Sequence, residues 1–294
     1  MATEPHTHTG SVELDAELSG LDKLEMVLPP RQSRASRLWG ATWPKILAIA
    51  IVLGFWQIVV WTGWKPESVL PPPADAFKAL WNNRAVEWEA TTTTLWTGFR
   101  GYLFSLVLGT IIGALVARNR ILRAAIGSMI TGLQTMPSVA WVPFAIVVFG
   151  LNESAIFFVV VLGAAPSIAN GLINGIDNIP PILLRAGRVL GARRWSSFRY
   201  VILPASLPSF IGGMKQGWAF AWRSLLAGEL IATFPGRTSL GQLLEFNRSF
   251  GDYTAMIAVM IIILVIGVLV DSLVFGRAER WIRRRYGLVD ESIA

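Results

Sequence analysis

In the run AWRSLLAGELIA, Arg223 and Glu229 are the side chains best placed to do chemistry, because both lie inside a long apolar block. A guanidinium there can attract an anionic solute, and a carboxylate can form part of a polar pathway wall. At the centre of a bilayer each charge costs at least about 2.5–3.5 kcal/mol, so each needs a partner or a wet surface. The two stand six residues apart and, at 3.6 residues per turn, point in different directions. Two readings stay open for each: the wall of a polar pathway, with Arg223 offered to an anion, or a charge paired with a neighbouring helix or lying near the membrane edge. The rest of the catalytic inventory is thin. There is no cysteine, and the two histidines, His6 and His8, fall in a polar opening stretch. That excludes a thiolate metal site, a disulfide framework and a histidine base inside the apolar blocks. No Gly-Lys dipeptide occurs, hence no G-x-x-x-x-G-K-[ST] phosphate loop. Neither a cofactor nor an ATP site is expected on this chain.

The elements that must position these residues are apolar and long. Mean hydropathy is +0.52 and 53% of the 294 residues are hydrophobic. They cluster in blocks 46–64, 101–117, 124–150, 154–176, 205–234 and 254–275. A membrane-spanning helix needs roughly 20 such residues to cross about 30 Å of hydrocarbon. The blocks predict an all-α polytopic membrane protein with about six spans, the fifth carrying Lys215, Arg223 and Glu229. Small residues recur every four positions on three of them: Ser105, Gly109, Gly113 and Ala117; Gly163, Ser167, Gly171 and Gly175; Gly213, Gly217 and Ala221. In lipid such faces let helices approach closely, which predicts a tight bundle. Pro137 and Pro143 predict kinks in the third span, and Asn170 and Asn174 a hydrogen-bonding face on the fourth. Asp271 is expected to pair with a nearby arginine. Pro71, Pro72 and Pro73 open the connection after the first span as an extended segment.

Charge gives the orientation. Arg31, Arg34 and Arg37 precede the first span, Arg118, Arg120 and Arg123 lie between the second and third, and Arg277, Arg280, Arg283, Arg284 and Arg285 follow the sixth. The alternate connections mix signs, as in Lys65, Lys78 and Arg84 against Glu67, Asp75, Glu87 and Glu89. This positive-inside pattern predicts cytoplasmic termini in the cell membrane. The net charge of +7 therefore orients the chain and does not indicate nucleic acid. Residues 1–37 read as a disordered cytoplasmic tail without the features of a signal peptide. Residues 38–289 are expected to form the transmembrane domain, and 290–294 a short tail.

The densest basic run, RAGRVLGARRWSSFRYVILP at 185–204, carries five arginines and no acid. Taking five arginines through the bilayer would cost more than about 12 kcal/mol, so this run stays at the cytoplasmic face. Pro180 and Pro181 suit the first turn of a helix, and Gly191 permits the backbone turn that ends it. A second short helix follows, with Trp195, Phe198, Val201 and Ile202 on one side and Pro204 marking the start of the fifth span. Anchoring to anionic lipid accounts for the charge. It leaves the glycine and the aromatic spacing unexplained, whereas an apolar face entering a partner's groove uses both.

These residues resemble the cytoplasmic signature loop of permease subunits from bacterial ATP-binding-cassette importers: Glu-Ala-Ala, three residues, Gly, nine residues, Ile, one residue, Leu-Pro. Here Arg185, Ala186 and Gly187 fill the first triplet, followed by Gly191, Val201, Leu203 and Pro204. Arg185 replaces the acid, Gly187 an alanine and Val201 the isoleucine. The segments MPSVAWVPFAIVVFGLNESA and LPASLPSFIGGMKQGWAFAWRSLLAGELI are similar to those of the nitrate, taurine and aliphatic-sulfonate branch, and the resemblance covers about residues 40–290. It implies a non-catalytic subunit that pairs with a second permease copy and docks on two ATP-binding subunits. The docking residues would be Arg185, Ala186, Gly187, Gly191, Trp195, Phe198, Leu203 and Pro204, in a loop spanning 180–204. A separate extracytoplasmic binding protein would deliver a small anionic solute. A self-sufficient ion channel and an intramembrane lipid-modifying enzyme are the competing classes.

Overall fold

The computed structural model describes residues 34–232 and 237–286. Most of the expected 1–37 tail and all of 290–294 lie outside them; residues 34–37 already belong to a helix, a small correction to the tail's boundary. Every regular element among the described residues is helical. The first, α1 (Arg34–Trp61), contains an apolar stretch, Thr42–Trp61, of 20 residues. At 1.5 Å per residue that matches the hydrocarbon thickness.

After α1 the chain forms α2 (Pro73–Asn82), which Pro73 opens from an extended Pro72, and α3 (Arg84–Arg118), 35 residues long. Then α4 (Arg120–Thr135) is capped by Asn119, whose Oδ1 accepts the Ile121 N–H at 2.8 Å. The third span does not kink; it breaks. Beyond α4 the path turns by 96° into a 3₁₀ turn (Ser138–Ala140) and α5 (Trp141–Phe149). Pro137 cannot donate to the preceding turn and drives Met136 to extended angles, φ −76° and ψ 128°. The kink expected at Pro143 is absent. That residue lies in the first turn of α5, where a helix has no N–H bond to lose.

At the centre runs α6 (Glu153–Asp177), the most deeply buried of the long helices. Next come α7 (Pro181–Val189), the four-residue α8 (Arg194–Ser197), a π turn (Phe198–Ile202) and α9 (Leu203–Ile231). The chain closes with α10 (Leu240–Ser249), α11 (Tyr253–Val270), a second π turn (Asp271–Phe275) and α12 (Gly276–Arg285). Four helices are long and apolar enough to span, and a fifth crossing follows if α4 and α5 count as one. The expected fifth span, α9, has the length, at 29 residues, but carries the three charges foreseen and is not one of these apolar helices.

The small-residue stripes are the faces on which α3, α6 and α9 pack. A Cβ at Gly109 of α3 would stand 2.6 Å from the Ala165 carbonyl oxygen of α6. On the other side of α6, a Cβ at Gly171 would stand 2.5 Å from the Gly213 Cα of α9. Backbones this close leave no space for a methyl group. Ile156, Val160, Ala164, Ile168, Trp222, Leu225 and Val259 fill the core between these contacts and α11. Asp271 pairs with Lys215 at 3.3 Å rather than with an arginine; Lys215 also reaches Glu279 at 3.6 Å and ties α9 to the last helix. Arg123 and Asp177, 2.8 Å apart, hold α4 to the end of α6.

The Gly171 contact makes a prediction. Gly171→Val inserts three carbons where backbone meets backbone, and overpacking of this kind costs typically about 1–3 kcal/mol or more. Gly132, whose Cβ position is open, serves as the control. Thermal unfolding in detergent is expected to show a lower midpoint, or no folded protein, for Gly171→Val and little change for Gly132→Ala.

Candidate functional site

The basic run folds as a hairpin. Pro180 caps α7 and Pro181 occupies its first position, where the missing N–H costs nothing. The helix ends in a paired closure: the Gly191 N–H donates to the Arg188 carbonyl at 3.0 Å, and the Ala192 N–H to the Gly187 carbonyl at 2.9 Å. This pattern requires a left-handed residue at Gly191, whose φ is +83°. A Cβ there would meet nothing within 4 Å, so the requirement is one of backbone conformation and not of space. Ser196 then caps the return arm, its Oγ accepting the Arg193 N–H and donating to the Arg193 carbonyl, both at 2.8 Å.

The α-helix of the expected fifth span begins at Leu203 with Pro204 in its first turn, where the sequence put it, but no break separates it from the return arm. The Leu203 N–H reaches back five residues to the Phe198 carbonyl, and the widened turn carries the chain straight into α9. Pro204, in the first turn of α9, lacks a donor for the Tyr200 carbonyl, and a π turn is one way to make room for its ring. The hairpin is thus continuous with the helix bearing Arg223 and Glu229. Its two arms meet at Gly187, where a Cβ would stand 2.8 Å from a Val201 methyl. The two apolar departures from the importer pattern are therefore neighbours in space. A larger residue at 187 would push Val201 away.

Trp195 and Phe198 stack at 5.6 Å between centroids and are exposed. Val201 and Ile202 are half-buried and do not join them. On the other arm Val189 and Leu190 are 87% and 85% exposed, and neither was among the expected docking residues. Two apolar residues directly before the turning glycine were the available signal. Arg185, Ala186, Arg188, Arg193, Arg194 and Arg199 are exposed around this patch, and none has a carboxylate within ion-pair distance among the described residues.

On α9 the two intramembrane charges part company. Arg223 is exposed: its guanidinium lies over the Phe220 ring at 4.7 Å, and its Nε donates to the Ala219 carbonyl at 3.0 Å. Glu229 is 2% exposed. Its Oε2 accepts the Thr94 hydroxyl at 2.9 Å and the Gly241 N–H at 3.1 Å, while Thr94 Oγ1 accepts the Leu240 N–H at 2.9 Å. The carboxylate thus fastens the first turn of α10 to α3 and α9, and it lines a small cavity with Thr97, Glu153 and Arg237. In the same cavity Glu153 takes Arg100 at 2.6 Å and Arg237 at 3.0 Å. Those partners, 53 and 84 residues apart in sequence, gave no local signal. Asn170 donates to Gln134 Oε1, and Gln134 Nε2 to Ser167 Oγ at 2.9 Å, so the polar face of α6 bonds to the end of α4.

Sequence and fold comparisons agree. The family described as binding-protein-dependent transport system inner membrane component matches residues 105–284. A riboflavin transport system permease protein of Chloroflexus aurantiacus is 30% identical over 248 residues, 82% of this chain and 91% of that one. An aliphatic sulfonates transport permease protein of Bacillus subtilis is 28% identical over 236 residues, 79% and 84% of the two chains. Among solved structures, an inward-facing MetNI methionine ABC transporter chain superposes with a TM-score of 0.57 at 22% identity, over 68% of this chain and 98% of that one. With these matches the channel and lipid-enzyme alternatives fall away. The chain belongs to the inner-membrane components of binding-protein-dependent transport systems, the non-catalytic permease subunits of ATP-binding-cassette importers.

Proposed function

We propose that this permease forms, with a second copy, the pathway for a small anionic solute, and that the 180–204 hairpin couples it to two separate ATP-binding subunits. The observation that carries the proposal is the tip of the hairpin. Val189 and Leu190 before the turn and the stacked Trp195 and Phe198 after it are exposed apolar side chains among exposed arginines that have no ion pair among the described residues, on a hairpin that runs without interruption into α9. An apolar anchor with a polar rim is how helices enter grooves. Motion of a subunit holding that patch would be transmitted to α9. The arginine-rich connections support a cytoplasmic position for this end and for both termini. On this reading the permease domain takes up residues 38–289, its first helix starting at Arg34.

A solute of the sulfonate, taurine or nitrate class fits the similarity to the sulfonate permease and the exposed guanidinium of Arg223 on α9, which has no carboxylate within ion-pair distance among the described residues. The riboflavin relative shows that similar chains carry other cargo names, and a separate binding protein would select the solute. The test is purification from membranes of cells expressing the neighbouring transport genes. Recovery in a stoichiometric complex with an ATPase supports the reading; solute or ion flux through the chain alone, without ATP, overturns it. For Arg223→Ala, uptake in reconstituted vesicles is expected to fall about tenfold, the loss of one charge contact of roughly 1.4 kcal/mol, with the complex still assembled. Unchanged uptake removes Arg223 from the pathway.

A further inference from the structure

We infer that the first turns of α3 form a lipid site with α11: Arg84 and Glu87 take the headgroup of a phospholipid that bears a primary ammonium, and α11 takes one of its acyl chains. The inference rests neither on the solute nor on the coupling role of the hairpin.

The starting observation is an acid with nothing to hold. Glu87, one turn into α3, is 4% exposed, and its Oε1 is buried without a hydrogen-bond partner. Arg84 stands three residues away on the same side of the helix, yet no ion pair joins the two. Its guanidinium is turned the other way, over the Trp81 ring at 5.1 Å, and its Nη1 donates to the Trp81 carbonyl at 2.9 Å. Burying a carboxylate without a donor is costly. Since no side chain around Glu87 supplies that donor, it comes from outside these helices.

A groove shows from where. Arg84, Glu87, Trp88 and Thr91, all on one side of α3, line a cavity of about 380 Å³ with Ile262 and Val265 of α11. No charge occurs on α11 from Tyr253 to Val270. Leu264, Val265 and Val268 are exposed there, so the groove opens on a face that suits lipid chains. Trp81 and Trp88, both 71% exposed, flank its polar end, and such rings favour the level of the headgroups.

A cation beside an anion at one end, with aliphatic side chains along the rest, is complementary to a zwitterionic phospholipid. In phosphatidylethanolamine two carbons separate phosphate from ammonium; one helical turn separates Arg84 from Glu87. An ammonium has three N–H donors for the unpartnered carboxylate, and the guanidinium suits the phosphate. The trimethylammonium of phosphatidylcholine has no N–H to donate. An anionic headgroup without an amine leaves Glu87 facing a like charge.

The test places the complete transporter in lipid nanodiscs that contain phosphatidylethanolamine with a diazirine midway along one acyl chain. Light expels N2, and the carbene inserts into a neighbouring C–H bond, which peptide mapping locates. Adducts on α11 should form about ten times more often with this probe than with the same chain on phosphatidylcholine. Glu87→Leu should bring that ratio near one. Arg84→Ala should lower both yields together and keep the ratio, because both probes carry phosphate. Equal labelling by the two probes in the native chain, or a native ratio in Glu87→Leu, overturns the site. Stronger labelling by a phosphatidylglycerol probe overturns the ammonium. In detergent free of phospholipid, Glu87→Leu should melt no lower than the native chain, since it removes a charge that has no partner. Added phosphatidylethanolamine should raise the midpoint of the native chain alone. A lower lipid-free midpoint for Glu87→Leu means that the acid is held by protein, within the chain or by a second copy, and overturns the proposal. Loss of the ATPase partner with labelling intact would count against the coupling proposal and support the independence of the lipid site.

Discussion

Gly191→Val is expected to leave the chain inserted and folded while reducing both recovery of the ATP-hydrolysing subunit and ATP-driven uptake by about 5–30-fold. The reasoning starts from φ +83° at this residue and the two hydrogen bonds that depend on it. An L-residue in the left-handed region costs roughly 1–2 kcal/mol, and β-branching makes it worse. No atom lies within 4 Å of the new Cβ, so no clash propagates into the bundle and the strain stays in the hairpin. The hairpin relieves it by opening the paired closure, which separates Val189 and Leu190 on one arm from Trp195 and Phe198 on the other. A docking patch assembled from both arms is then lost. Gly191→Asn supplies the counter-test, since asparagine tolerates this conformation. It is expected to retain most of the partner. The ratio of ATPase to permease in purified complexes, with uptake in the same vesicles, measures the effect. Full coupling in the valine variant would refute the role of the turn.

How much of this was legible in advance follows from the range of each force. Span positions, the hairpin and its turning glycine are local: hydropathy over 20 residues, a proline pair and a glycine declare them. The small-residue stripes announced close packing, and the helices that meet through them, α3 on α6 and α6 on α9, are the ones that carried stripes. Partners across the bundle were not readable. Asp271 met Lys215 because α9 and the last helix lie side by side, which no spacing along either helix reveals. Pro137 broke its helix whereas Pro143 did not, although both lie in one apolar block. The difference is position within a turn, and only the backbone shows where the turn begins. Glu229 looked like Arg223 in sequence, a lone charge in an apolar run. What separates them is Thr94, 135 residues away.

That separation gives the second strong prediction. Glu229→Ala removes one oxygen, Oε2, that both the Thr94 hydroxyl and the Gly241 N–H use. Each buried donor left without an acceptor costs about 1–3 kcal/mol. Since Leu240 leans on the same hydroxyl, α10 should come loose from α3 and α9 together. The expected result is a markedly lower thermal midpoint for the complex and rapid proteolysis around residues 237–250. Glu229→Gln should do neither, because one amide oxygen in the place of Oε2 can accept both bonds. The glutamine variant also decides between the two roles the sequence left open. If the carboxylate only fastens α10, Glu229→Gln will take up solute as the native chain does, since the fastening needs an acceptor and not a charge. If uptake collapses while the midpoint holds, the negative charge itself acts on the solute or on a proton, and Glu229 belongs to the pathway despite its burial. Uptake and unfolding in the same preparation of the alanine and glutamine variants, beside Arg223→Ala, separate a latch from a wall: the latch fails by melting, the wall by losing flux at full stability.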